Sequence, residues 1–242
     1  HGRALAHAAA GMGVRAVIWM SRLVPANKVE AVRALGAEVV IHGASQDEAA
    51  EEATRRIARE GLSLIPPFDH PDVIAGQGTI GLELMLARPQ TDTVLVPMSG
   101  GGLLAGVAMA VKSIAPRTRV IGISMDRGAA LQASLVAGHP VEVEEVPTLA
   151  DSLGGGICLA NRHTLAMVQE WVDETVLVSE DEIAAAMRYA YAHEQLVIEG
   201  AAAVTIAALQ AGRVRPGAHT VLLLTGGNVD MATHHRIVAA AH

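Results

Sequence analysis

The chain has 242 residues, 51% of them hydrophobic but only 2% aromatic, so it can fill one or two packed domains with a core of Ala, Val, Leu, Ile and Met. Its formal net charge is −7 and no basic block occurs, which argues against nucleic-acid binding. No apolar run approaches the ~20 residues that span a bilayer, so no membrane association is expected. The single cysteine, Cys158, excludes an intrachain disulfide and fits a reducing cytoplasm. The 11 histidines are scattered, and the adjacent pair His234-His235 cannot share one helix face, so no metal is expected.

In chain order, the Ala-rich stretch 4–12 predicts a helix stopped by Gly13, followed by a strand over 14–20. Arg3, His7 and Arg15 interrupt this opening segment, which therefore does not read as a signal peptide. Pro25 opens a helix over 25–35 that Gly36 ends; a strand over 37–41, a charged helix over 46–60 and a short strand over 62–65 complete three β-α units. Pro66-Pro67 and His70-Pro71 then punctuate the chain and place a domain boundary there, giving a small domain 1–70 and a large domain 71–242. In the second part helices are expected over 73–87, 102–115, 129–137, 162–171, 180–191, 200–211 and 230–240. Strands are expected over 93–97, 119–124, 176–178 and 219–224, and residues 140–159 read as a long connection with strand and glycine character. Alternating helix and strand favours an α/β fold of two open, mostly parallel sheets covered by helices.

The most informative segment joins the strand at 93–97 to the helix after it: Ser99, Gly100, Gly101, Gly102 and Leu103. Glycines without a Cβ let backbone N–H groups converge on an anion, and the positive end of the helix dipole faces the same point. The segment is a phosphate cradle, with neither the Gly-Lys-Ser/Thr of a P-loop nor the Gly-x-Gly-x-x-Gly spacing of a dinucleotide site. On these residues alone, a tight turn with no ligand remains an alternative.

The order of further segments carries a resemblance. His1-Gly2-Arg3-Ala4-Leu5-Ala6, Asn27-Lys28, Gly36-Ala37-Glu38-Val39, Pro67-Phe68-Asp69 and Ile74-Ala75-Gly76-Gln77-Gly78-Thr79 precede the cradle. Ala150-Asp151, Glu199-Gly200-Ala201 and Thr225-Gly226-Gly227-Asn228 follow it. Over essentially the whole chain this succession resembles the serine/threonine dehydratase family, fold-type-II enzymes that use pyridoxal 5′-phosphate. The segment Ala150-Asp151-Ser152-Leu153-Gly154-Gly155-Gly156 is most similar to the hydroxyectoine-utilisation branch.

The resemblance implies a tryptophan synthase β-like fold, a small amino-acid substrate, a homo-oligomer and a cytoplasmic enzyme. It assigns cofactor binding to Ser99, Gly100, Gly101, Gly102 and Leu103 for the phosphate, and to Thr225, whose hydroxyl would meet the pyridine nitrogen. His1 would belong to a loop that grips the substrate carboxylate. Glu199 could accept from the substrate or order the wall by the ring, or simply complement a helix dipole as a first-turn acid. Two positions depart from the pattern: Ser152 stands where a glycine is usual, and Ser124 where several relatives carry a cation-binding glutamate.

The lysines are Lys28 and Lys112, and neither has the context of the lysine that forms the Schiff base with the cofactor; both read as solvated helix positions. Family members carry that lysine, and an asparagine for the cofactor ring, ahead of the point matching His1. The expectation is therefore a fragment that lacks its catalytic lysine and is inactive alone. For the complete protein the expected reaction is β-elimination from threonine or serine, giving a 2-oxo acid and ammonia. Amino-acid racemisation, β-replacement, non-catalytic binding of a phosphate-bearing small molecule, and an assembly subunit with no ligand are the alternatives.

Overall fold

The computed structural model describes residues 1–240, which form two compact units, one over 1–67 and one from residue 68 onward.

Unit 1 contains α1 (Gly2–Met12), β1 (Val17–Met20), α2 (Ala26–Ala34), β2 (Glu38–Ile41) and α3 (Gln46–Glu60). β1 and β2 pair in parallel from Val17↔Glu38 to Met20↔Ile41. Ala6, Ile18, Met20, Val29, Val32 and Ala37 form the core of this unit. Local chemistry sets the helix ends. Gly13 closes α1 in the left-handed region at φ 65°, and Ser45 Oγ accepts the Glu48 N–H at 3.2 Å to open α3. Arg15 and Arg56 bind the carboxylates of Glu38 and Glu60, with the Arg56 guanidinium 5.5 Å from the centre of the Trp19 ring.

The third strand expected in this unit, over 62–65, does not form. Leu64 and Ile65 are 55% and 46% exposed, and the Ile65 carbonyl meets His1 Nε2 at 3.0 Å in place of a ladder partner. Pro66 and Pro67 follow directly and supply no N–H with which to extend a sheet.

Unit 2 contains α4 (Pro71–Ala87), β3 (Thr93–Pro97), α5 (Gly102–Ile114), β4 (Arg119–Met125) and α6 (Ala130–Ala137). A 3-10 turn (Asp151–Leu153) leads to α7 (Thr164–Trp171), β5 (Glu174–Val178), α8 (Glu180–Glu194), α9 (Gly200–Gln210), β6 (Thr220–Leu222) and α10 (Met231–Ala239). The strands form one parallel sheet in the order β5-β4-β3-β6. β3 is buried along its whole length, as a central parallel strand must be. Its side chains alternate between faces: Val94 and Val96 pack with residues of α4, α5 and α7, while Leu95 packs with residues of α8 and α9. The long connection at 140–159 carries the 3-10 turn and no strand.

Two details fix the layers. α4 and α5 approach so closely that a Cβ on Gly106 would lie 2.3 Å from the Ile74 carbonyl, and one on Gly81 would lie 2.9 Å from that of Val107. At the other end of the sheet, Asp92 accepts the His219 N–H and the Thr93 hydroxyl, each at 2.9 Å, which sets the register of β6 against β3. Those hydrogen bonds, led by the His219 amide, hold the Asp92 carboxyl below its usual range. Among the described residues, no helix is long and apolar enough to cross a membrane.

Candidate functional site

Connections from β3 run through β4 to β5 on one side, and the chain then returns to place β6 on the other side of β3. The strand order therefore reverses between β3 and β6. In open parallel sheets this is where the loops leaving the carboxyl ends part and a crevice forms. Residues 99–103 leave β3 at that end. Thr225 leaves β6 at the same end, because Leu95 is paired with Leu222 and the Leu223 N–H continues to the Leu95 carbonyl at 3.0 Å. The structure thus brings the cradle and Thr225 to neighbouring strand ends.

The cradle is built for backbone donors. α5 begins at Gly102, and its first intrahelical bond is the Ala105 N–H to the Gly101 carbonyl at 2.8 Å. The amides of Gly102, Leu103 and Leu104 are therefore the spare donors of this helix end. Among the described residues, no backbone carbonyl accepts from the amides of Ser99, Gly100 or Gly101. Among those residues there is also no side-chain cap on α5 and no acid in its first turn. A terminal phosphate fits this donor set, and a carboxylate side chain in the same place would repel it.

Each glycine has its own steric cause. Gly101 sits at φ 92°, which side chains rarely adopt. A Cβ on Gly100 would lie 2.4 Å from the Phe68 ring, and one on Gly102 would lie 2.9 Å from the Phe68 Cα. Ser99 fits beside the three glycines because its φ is not positive: among the described non-glycine residues only Cys158 and Gln195 have positive φ. Its hydroxyl donates to the Leu153 carbonyl at 3.0 Å. That bond ties the cradle to the Asp151 turn, so Ser99 contributes to the donor set through its backbone.

Thr225 is exposed, and the two glycines after it lie close to the segment that leads into α9. The Gly226 carbonyl accepts the Glu199 N–H at 3.1 Å, and a Cβ on Gly227 would lie 2.6 Å from the Val197 carbonyl. Glu199 is 9% exposed at the N-cap of α9. A Cβ on Gly200 would lie 2.1 Å from the Leu149 carbonyl, so the start of α9 is pressed against the segment that carries Asp151. Glu180 holds that segment in turn, accepting the Leu149 N–H at 2.8 Å.

Lys112 Nζ is 2.7 Å from Asp173 Oδ2 in the last turn of α5. At 1.5 Å per residue it lies about 15 Å along the helix from Gly102, out of reach of the cradle. Ser124, next to last in β4, is buried, its hydroxyl 3.4 Å from Met125 Sδ. Among the described residues, no group of three or more His, Cys, Asp or Glu is arranged to hold a metal. In unit 1, His1 is the N-cap of α1 and Lys28 lies in α2.

Sequence reasoning assigned no role to Phe68 and Thr164, which press on the cradle glycines, or to Asp69, which bonds the amides of Arg162, His163 and Thr164. One signal for them was available: Phe68 is the only phenylalanine in the chain, in a segment bounded by prolines. The other is structural, since the N-cap of α7, His163, makes no side-chain cap bond of its own.

Residues 1–226 match the family model described as pyridoxal-phosphate dependent enzyme. A protein of Sinorhizobium fredii provisionally named threonine dehydratase is 56% identical over 239 residues, which cover 98% of this chain and 72% of that protein. The L-threonine ammonia-lyase of Thermotoga maritima is 40% identical over 238 residues, and there the chain spans 59% of its relative's length. Among solved structures, maize serine racemase superposes with a TM-score of 0.87 at 31% identity, over 98% of this chain and 73% of the racemase.

Proposed function

Since the chain belongs to the pyridoxal-phosphate dependent enzyme family, we propose that its chemistry is β-elimination from a β-hydroxy amino acid, threonine or serine. The observation that carries this reading is the uncapped, acid-free start of α5 at the strand-order reversal, with Thr225 at the neighbouring strand end. In the net reaction the α-proton and β-hydroxyl leave as water. One water is then taken up as the C–N bond breaks, so threonine gives 2-oxobutanoate and ammonia.

The amides of Ser99, Gly100, Gly101, Gly102 and Leu103 would hold the cofactor phosphate, and the Thr225 hydroxyl would donate to its ring nitrogen. Bound there, pyridoxal phosphate supplies an electron sink for the pair released at the substrate α-carbon. A neutral hydroxyl leaves the ring nitrogen unprotonated, which moderates that sink and suits prompt loss of a β-leaving group. The amides that open α1 beside His1 are the proposed grip for the substrate carboxylate.

Neither lysine supplies the covalent anchor: Lys112 is paired with Asp173 far along α5, and Lys28 lies within α2. This polypeptide by itself is accordingly proposed to be inactive. A cytoplasmic location follows from the same reading.

The test uses protein expressed from the intact gene with pyridoxal phosphate. L-Threonine and L-serine should each yield ammonia and 2-oxo acid in equal amounts. Formation of D-amino acid without ammonia would support racemisation instead, a second reading favoured by the close superposition on maize serine racemase. Absence of any cofactor absorbance band would leave only a phosphate-ligand binder.

A further inference from the structure

We propose that Asp69 is a positioning residue for the glycine loop, capping α7 from outside and so clamping residues 100–102 between Phe68 and Thr164. This rests on the reading of that loop as the phosphate grip.

Asp69 accepts three backbone N–H groups at the start of α7. Its Oδ2 takes the Arg162 amide at 2.6 Å, and its Oδ1 takes those of His163 and Thr164 at 2.9 Å each. Thr164 opens α7 and His163 is its N-cap, while Asn161 Oδ1 accepts the next helical amide, that of Leu165, at 3.1 Å; the Asp69 acceptor lies 93 to 95 residues earlier in the chain. The bonds therefore act as a tether between two distant segments.

Both tethered segments touch the cradle. Phe68, the residue before Asp69, would meet a Cβ on Gly100 at 2.4 Å and one on Gly102 at 2.9 Å. Its carbonyl accepts the His70 N–H at 2.9 Å, which makes 68–70 a tight turn and leaves Phe68 little freedom once Asp69 is fixed. Thr164, the first residue of α7, would meet a Cβ on Gly101 at 2.9 Å. Asn161 Nδ2 donates to Thr164 Oγ1 at 2.8 Å and fixes that side chain too. Residues 100–102 have no side chains with which to lock their amides, so beside the Ser99 bond to Leu153 their conformation depends on the residues pressed against them, and Asp69 holds two of these, Phe68 and Thr164.

An asparagine at 69 keeps the size but presents one acceptor and one donor. Its NH2 would face an α7 amide, donor against donor, and part of the tether would be lost. A loosened loop should lose its grip on phosphate before it loses contact with the rest of a ligand.

Wild type and Asp69→Asn, both expressed from the intact gene, are compared by equilibrium dialysis against pyridoxal 5′-phosphate and against pyridoxal, which lacks the phosphate. The wild type should prefer the phosphorylated form, and D69N should cut that preference about tenfold, the scale of one charge-assisted amide contact, with pyridoxal affinity little changed. If D69N weakens both ligands equally, or lowers thermal stability while the preference stays intact, Asp69 is only a helix cap and the proposal fails. Should D69N not fold, Phe68→Leu takes its place: it keeps the cap and removes the ring from Gly100, and an undiminished preference overturns the clamp. A wild type with no preference for the phosphorylated ligand overturns the cradle itself, a result distinct from failure of the clamp.

Discussion

Glu199 stands over Gly226: its N–H donates to the Gly226 carbonyl at 3.1 Å, and a Cβ on Gly226 would lie 2.8 Å from Glu199 Oε1. The strand end that carries Thr225 and the start of α9 are thereby locked together through one backbone bond and one close approach.

Gly226→Ala should push the Glu199 carboxylate aside and shift Thr225 with it. Overpacking of this kind costs about 1–3 kcal/mol. The expected outcome is a modest loss of stability in urea, with a larger fall in kcat than in cofactor retention. Unchanged kcat would show that the position of Glu199 is immaterial to the chemistry.

Gly101→Ala meets two obstacles, a φ of 92° and a Thr164 Cβ at 2.9 Å. Holding a non-glycine residue in such a backbone region costs about 1–3 kcal/mol. Since amides of this loop are the proposed phosphate donors, cofactor affinity should fall by about tenfold or more. Retention of the cofactor through exhaustive dialysis, equal to wild type, would count against the assignment.

Gly106→Ala tests the scaffold apart from the site. The added methyl would lie 2.3 Å from the Ile74 carbonyl and 2.8 Å from the Gly78 nitrogen, both backbone atoms that cannot swing away. The helices α4 and α5 must separate, at a cost of about 3 kcal/mol, the upper end of the overpacking range. Chemical denaturation should show a lower midpoint with an unchanged slope.

His234 gives the fold a pH dependence. It is 2% exposed, its ring meets that of Tyr191 edge-on, and among the described residues its Nε2 has no partner. Burial, with a smaller contribution from neighbouring His235, lowers its pKa below the ordinary 6.5. The unfolded chain therefore binds the proton first, so the stability due to neutral His234 is present above about pH 6.5 and is lost as pH falls below that value. Asp92, Asp230 and Glu182 are also held below their ordinary values, but their stabilisation is lost only at more acid pH, below about 4.5. Thermal scans between pH 5 and pH 8 should show a fall in Tm on acidification, and His234→Phe should flatten it. An equal slope in the variant would assign the effect to another group.

Much of this molecule is written locally. The apolar run of β3, the glycines at 100–102, the Ser45 and Ser179 caps and the stops at Gly13 and Gly61 act over a few residues, through side-chain period, missing Cβ atoms and spare amides. That is why the helix–strand alternation and the phosphate cradle can be read from the chain alone. Tertiary structure decided what depends on partners far away in sequence. Residues 62–65 look like a strand, but no neighbour offers them a ladder, and hydrogen bonds to a second chain segment are what make a strand. The placement of β6 beside β3, which brings Thr225 to the cradle, depends on pairings such as His219 with Asp92 across 127 residues. The Asp69 cap on α7 spans 93 residues and leaves no periodic trace, because an acceptor supplied from elsewhere satisfies a helix end as well as one supplied locally.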